Sequence, residues 1–270
     1  MDKQDNDGLP ASEVGSWTEE KHERLRKYVD GSHGARRQFK SRSYVDLYCG
    51  PGRSWVRESG KFIDGSPVVA FESAAKYGDQ YTEFLIADAR SDYVAAAERR
   101  LRSRGANVIP HPGEAHAVID HVVSKLDPHG LHFAFLDPYN LGALPFSIIK
   151  KLASFKRMDL LIHVSAMDLK RDLHNYIRAD GPEDLDNFAP GWREHVDTKR
   201  RQDVVRQSIF EYWCSLIKRL GASPSDRVEA VENSKGADLY WLVFVARHKL
   251  AHKIWEAISN VSQQGRLDLS

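Results

Sequence analysis

An α/β fold built on a mostly parallel, doubly wound sheet is what this sequence predicts, and three observations predict it. From residue 43 to residue 164, short apolar runs alternate with amphipathic stretches at helical period. One run, Leu131 to Leu136 (LHFAFL), is apolar without alternation, as a strand covered on both faces must be. The first run, within SYVDLYCGPGRS over Ser43 to Ser54, enters a turn carrying Gly50 and Gly52, and in doubly wound sheets ligands bind beyond the carboxyl ends of the strands.

The elements follow in order. Residues 1–15 are polar and acidic, with too little apolar surface to offset the entropy of ordering, and are expected to form a flexible tail ahead of a single domain over 16–270. Ser16 and Glu19 fit a capping box, and Leu25, Tyr28 and Val29 share a face, which predicts a helix over Trp17 to Val29. The connector from Arg36 to Arg42 sets Phe39 among four cations, a combination that suits phosphates and bases or simply a solvated surface. Tyr44 to Tyr48 is the first strand. A long loop, Arg53 to Gly65, separates it from a helix capped by Ser66 with Pro67 at its first position. Strands at Thr82 to Ala87, Asn107 to Pro110, Leu131 to Leu136 and Asp159 to Val164 then alternate with helices at Tyr93 to Arg104, Ala117 to Leu126 and Pro145 to Phe155. After the fifth strand the rhythm breaks into a helical insertion around 168–222: a short helix, a loop DGPEDLDNFAPGW, and a long amphipathic helix over Thr198 to Leu220. Arg227 to Val231 and Leu239 to Arg247, joined by ENSKGAD, read as an antiparallel hairpin, and a last helix runs from Leu250 to Val261.

Composition excludes little but excludes it clearly. Lys and Arg number 39 against 38 Asp and Glu, so any binding to nucleic acid rests on local charge such as Arg99 to Arg104 or Lys199 to Arg201. No 18-residue apolar stretch and no signal-like start are present, so a cytoplasmic protein is expected. Cys49 and Cys214 lack metal or redox spacing, and His248 with His252 lacks a third ligand, so no metal site is expected.

Chemistry concentrates at two strand ends. The pattern Asp46-x-x-x-Gly50-x-Gly52 departs from a dinucleotide fingerprint, because Trp55 stands where a third glycine or alanine belongs, and no P-loop pattern surrounds Gly60-Lys61. The turn then either serves no ligand or admits a bulky, phosphate-free one such as S-adenosylmethionine (SAM), with Asp46, Tyr48, Gly50, Pro51 and Gly52 around it. Asp88, at the end of the second strand, suits ribose hydroxyls, and Glu114, beyond the third, an adenine edge. Asp137-Pro138-Tyr139 closes the fourth strand with a stiff exit, an arrangement that would hold an amine on the carboxylate and a flat substrate on the ring. Arg53, Trp55 and Arg57 of the long loop are the candidates for substrate contact.

These stretches resemble the three-Cys-motif partner family (TcmP), itself similar to class I SAM-dependent methyltransferases. The resemblance rests on YVDLYCGPGRS, the GSP at Gly65 to Pro67, FLDPYN and LYWLVFVARHKLAHKIW, and spans Trp17 to Ile258. It implies a Rossmann-like, seven-stranded sheet of order 3-2-1-4-5-7-6 with strand seven antiparallel. It also implies a partner protein bearing three cysteines, similar to radical-SAM proteins. Base-methylating relatives of that fold carry a second proline after the Asp-Pro step, where this chain has Tyr139. Two functions follow as expectations: a methyltransferase acting on nucleic acid or a nucleotide-containing molecule, or a catalytically silent module that docks its partner in a defence or mobile-element system.

Overall fold

In the computed structural model, which describes residues 3–178, 180–232, 238–259 and 266–268, the apolar runs pair into one large sheet. The chain begins with β1 (Lys3–Gln4), β2 (Pro10–Val14), α1 (Trp17–Gly31), α2 (His33–Arg36) and β3 (Arg42–Asp46). A hairpin, β4 (Arg53–Val56) and β5 (Lys61–Asp64), leads into α3 (Ser66–Ala75). Regular alternation follows: β6 (Glu83–Asp88), α4 (Ser91–Arg102), β7 (Val108–Pro112), α5 (Ala115–Lys125), β8 (Leu131–Leu136), α6 (Phe146–Leu152), β9 (Met158–Val164) and α7 (Ala166–Tyr176). The remainder comprises α8 (Asp184–Phe188), a 3-10 turn at Trp192–Glu194, α9 (Gln202–Arg219), β10 (Ser223–Pro224), β11 (Arg227–Glu232), β12 (Asp238–Ala246), α10 (Lys249–Ser259) and β13 (Arg266–Asp268).

The large sheet has the spatial order β7-β6-β3-β8-β9-β12-β11-β13, with β10 attached to β12. Its first five long strands are parallel, whereas β12 runs antiparallel to both β9 and β11. Counted along the chain, the long strands lie in the order 3-2-1-4-5-7-6, and the short strands β10 and β13 make the sheet nine-stranded where seven strands were expected. Side chains alternate across the pleat, so Val45, Leu85, Ala134 and Leu160 enter one apolar layer with α5, α6, α7 and α9. Tyr44, Phe84, Phe133 and Leu161 enter the other, against α1, α3, α4 and α10. Both faces are covered, which is why β8 reads as an uninterrupted apolar run.

Several local expectations are corrected. Residues 3–14 do not form a loose tail: β2 pairs in parallel with β4, and a second, four-stranded sheet β1-β2-β4-β5 results. Arg100 of α4, itself buried, fastens it by donating to the Asp7 carboxylate at 2.7 and 2.8 Å, to the Pro10 carbonyl at 2.8 Å and to the Pro51 carbonyl at 2.7 Å. The order comes from a charge 93 residues away in sequence, which local composition cannot register. The long loop at 53–65 is also absent, because β4 and β5 pair with Trp55 opposite Phe62, their rings edge-on at 4.7 Å, and Gly60 turns the chain at φ +63°. Inside DGPEDLDNFAPGW lies α8, whose Leu185 and Phe188 are buried, Phe188 stacking on Trp213 of α9.

Two caps differ as well. Ser16 makes no side-chain cap bond to α1, and the residue capping α3 is Gly65, since the Ser66 hydroxyl is engaged elsewhere. In the basic connector, Arg36 is buried and paired with Asp79 at 2.9 Å. Among the described residues no helix is long and apolar enough to cross a membrane.

Gly65 joins the two sheets: its N–H donates to the Gly52 carbonyl at 2.9 Å, and a Cβ on it would stand 2.7 Å from the Gly52 carbonyl carbon. Backbone cannot yield as a flexible side-chain tip can, so Gly65→Ala is expected to lower stability by about 1–3 kcal/mol in urea unfolding. A midpoint equal to wild type would show that the two segments separate freely.

Candidate active site at the carboxyl edge of the sheet

The end of β3 is built from the inside out. Asp46 is fully buried and accepts from the Ser66 hydroxyl at 2.6 Å, the Tyr44 hydroxyl at 3.1 Å and the Tyr48 N–H at 3.2 Å. It therefore stands behind the glycine turn and shapes it, and the alternative of reaching a ligand directly does not match its burial. Burial raises its carboxyl to about 7 despite those three donors.

The turn itself is pinned to β6. Cys49 donates its N–H to the Ala87 carbonyl at 2.9 Å, and Gly50 donates its own to Asp88 Oδ2 at 3.0 Å, while Asp88 Oδ1 accepts from the Arg90 N–H at 2.9 Å. Gly50 and Gly52 take φ of +55° and +77°, the left-handed region that favours glycine. Nothing lies within 4 Å of a Cβ position at Gly50, whereas the one at Gly52 meets the backbone of Ala97 at 3.3 Å. Gly50 thus faces open space and Gly52 faces α4. Asp88 is half-buried, with burial raising its carboxyl, and each of its oxygens retains capacity for a further donor. Glu114 caps α5, with an exposed side chain 3.3 Å from His116.

Beside the turn, Asp137 at the end of β8 is held from two sides. Lys21 Nζ of α1 lies 2.5 Å from Oδ2 and His163 Nδ1 of β9 lies 2.8 Å from Oδ1. Burial works to raise this carboxyl, but Lys21 and then His163 outweigh it and hold it well below the usual carboxylate range. Burial also lowers His163 and takes His22 down to about 4, so at neutral pH Lys21 supplies the positive charge. Pro138 is buried and Tyr139 is 84% exposed, its ring open to the solvent face. The Tyr48 hydroxyl donates to the Ala143 carbonyl at 2.5 Å, tying the segment after β8 to the turn.

The structure brings together Tyr48, Gly50, Pro51, Gly52 and Asp137 around one polar cavity of about 90 Å³, and adds Ser12, Thr18, Lys21, His22, Ser54 and Ser66 from the elements that cover it. Lys21 and His22 were legible in principle: with Thr18, Leu25, Tyr28 and Val29 they form the buried stripe of α1, where a lysine and a histidine are out of place. The hairpin residues do not join them. Arg53 is committed to Asp5 and Asp64, both at 2.6 Å. Trp55 packs on Phe62, and Arg57 lies over the Trp17 ring near Glu13. These three side chains brace the small sheet, and none of them lines the cavity.

A cavity of this size admits a small polar head, far less than the roughly 300–1,000 Å³ of a typical cofactor pocket. The open face at Gly50 continues it, bordered by Asp88. The residues fit a ligand of two parts: a polar head among Thr18, Lys21 and Ser66, and a larger body over Gly50. Among the described residues no group of three or more His, Cys, Asp or Glu is placed to hold a metal ion.

No family model and no curated protein matches the chain in sequence. Among solved structures, a Legionella pneumophila protein assigned to the family model DUF519 superposes with a TM-score of 0.53 at 7% identity, covering 88% of this chain and 91% of that one. Trm1 of Pyrococcus horikoshii, solved with S-adenosyl-L-methionine, gives 0.48 at 10% identity, covering 88% of this chain and 57% of that one. A SAM-dependent methyltransferase of Clostridium acetobutylicum gives 0.40 at 12% identity, covering 82% and 91%. The first of these shows a shared fold and nothing finer; the others fall below the level at which likeness carries weight.

Two measurements probe the site without a ligand. Folding raises Asp46 from about 3.9 to about 7, so the folded chain binds that proton more tightly than the unfolded chain does. Its contribution to stability is complete below pH 4 and declines as pH rises toward 7. The difference in unfolding free energy between Asp46→Asn and wild type should therefore shift in favour of the variant over that window, and a flat difference would count against the assignment. Lys21→Met leaves a half-buried carboxylate with His163 alone beside it and should cost about 1–3 kcal/mol; an unchanged melting temperature would show the pair to be dispensable.

Proposed function

We propose that the carboxyl edge binds S-adenosylmethionine and that the chain is a SAM-dependent methyltransferase directed to a nitrogen of a nucleic acid or nucleotide-containing substrate. One observation carries the reading: a carboxylate kept anionic and already holding a nitrogen donor opens into the same cavity as the glycine turn. The glycine backbone, Asp88 and the polar groups of α1 would hold the cofactor, whose sulfonium supplies a methyl group already activated for transfer. What remains for the protein is alignment and electrostatic support. Asp137 would hold the acceptor nitrogen in the place Lys21 now takes, and Tyr139 offers a ring face for a flat substrate. Those are positioning tasks, for which the stiff Asp-Pro exit is suited.

A second reading is favoured by the small volume of the cavity. In it the chain is a catalytically silent module that docks a three-cysteine partner, with exposed Tyr139 and Met167 (49% exposed) among its contacts.

Calorimetry separates the two. Titration with SAM and S-adenosylhomocysteine should show saturable binding that Gly50→Arg abolishes, because its side chain would fill the open face. Asp137→Asn should retain binding within about threefold while methyl transfer falls by a factor of 100 or more, on the order of the loss when one positioned charge is removed. Absence of binding to the folded wild-type chain rejects the methyltransferase and leaves the docking module.

A further inference from the structure

A second, roomier cavity lies at the opposite edge of the sheet, away from the glycine turn and Asp137. It measures about 820 Å³ and sits over the amino ends of β8 and β9, between α1 and α2 on one side and α10 on the other. Such a volume suits a small organic ligand. Its interior is apolar and partly aromatic: Tyr28, Tyr81 and Phe133 line one part, Leu250, Ala251 and Ile254 another.

Buried Arg36 also lines it, engaged by the Asp79 carboxylate and by the Asp79 and Val29 carbonyls, and two further polar features break that interior. Asp159 of β9 is the single carboxylate among the lining residues, and it sits in a strand, MDLLIHV, that is otherwise apolar apart from His163. It accepts the Tyr28 hydroxyl at 2.6 Å, and among the described residues no cation is paired with it; burial raises its carboxyl to about 6. A carboxylate with one hydroxyl donor has room for at least two further N–H donors. The rim, by contrast, is cationic, with Lys156, Arg157 and Arg247 exposed there. Arg157 is fixed over the Phe39 ring at 5.2 Å and Arg247 by the Ala153, Gly221 and Leu220 carbonyls, while Lys156 has no hydrogen bond or ion pair among the described residues. Phe39 among its cations, a feature of the sequence that the carboxyl edge leaves unexplained, thereby becomes part of this mouth.

A ligand complementary to all three parts has a flat body, an edge of N–H donors for Asp159, and an anion for the rim. We infer that this pocket binds a guanine nucleotide, base inward on Asp159 and phosphate at Lys156 and Arg157. Guanine presents two adjacent N–H groups that a carboxylate accepts together, whereas adenine pairs its amino group with a ring nitrogen acceptor that would face the carboxylate lone pairs. Stacking on the aromatic lining and charge at the rim are independent of that choice.

The test is a titration of the full chain with GMP, AMP, guanosine and inorganic phosphate, each probe used separately. GMP should bind saturably and about tenfold tighter than AMP, the discrimination that one bidentate pair provides. Asp159→Asn, which preserves shape, should erase the preference for GMP. Lys156→Glu, on the exposed rim, should weaken GMP while leaving guanosine unchanged, and it keeps the test open if the buried variant fails to fold. Gly50→Arg should leave GMP binding intact, so a failure here is distinguishable from a failure of the SAM reading. Equal affinity for GMP and AMP, affinity for inorganic phosphate matching that for GMP, or no GMP binding at all overturns the assignment.

Discussion

The backbone of Gly52 touches the backbone of Gly65, and the architecture of the carboxyl edge depends on that contact. With no Cβ on either residue, the carbonyl of one accepts the N–H of the other at 2.9 Å, and the twelve residues between them close into a hairpin instead of spreading as a loop. The closure starts α3 immediately afterwards, which aims the Ser66 hydroxyl at Asp46 and so stiffens the turn from behind. It also sets β4 where β2 can pair with it. One steric condition thus fixes the turn, the hairpin and the cover together.

Charge does the fastening that apolar burial cannot do in a polar segment. Arg100 reaches from α4 to the Asp7 carboxylate and to carbonyls of both the N-terminal segment and the glycine turn, so the cover and the turn share one guanidinium. A planar group with five donors meets such a set of acceptors, where a lysine would meet fewer. On the far side of the cavity, Lys21 and His163 hold Asp137 anionic in a place where burial alone would favour its protonated form. These buried charges are costly unless paired, and their pairing ties α1, β8 and β9 into one geometry.

The sheet therefore presents two unlike edges. Its carboxyl edge is small, polar and covered, with a carboxylate kept charged by a lysine. Its amino edge is wide and mostly apolar, with a carboxylate that burial raises and a cationic rim. The difference follows from what lines each: a small sheet packed by ion pairs at one end, and the apolar and aromatic side chains of α1, α10 and β8 at the other.

The periodic part of the fold was legible in the order of the residues alone. The alternation of apolar runs specified five parallel strands and their helices, because each run must hide two faces or one stripe; boundaries moved by a few residues. The DLYCGPG turn and the Asp137-Pro138 exit were legible for a similar reason: glycine and proline constrain the chain wherever they stand. Features made by distant partners emerge only in the folded chain. The ordering of residues 3–14 by Arg100, the engagement of Arg53 by Asp5 and Asp64, and the meeting of Lys21 with Asp137 across 116 positions are such features. Composition judged the N-terminal segment too polar to order and could not pair Arg53 with Asp5 and Asp64, since local patterns register hydrophobic period and backbone preference. A charge finds its partner only after the sheet has brought the two into the same small volume.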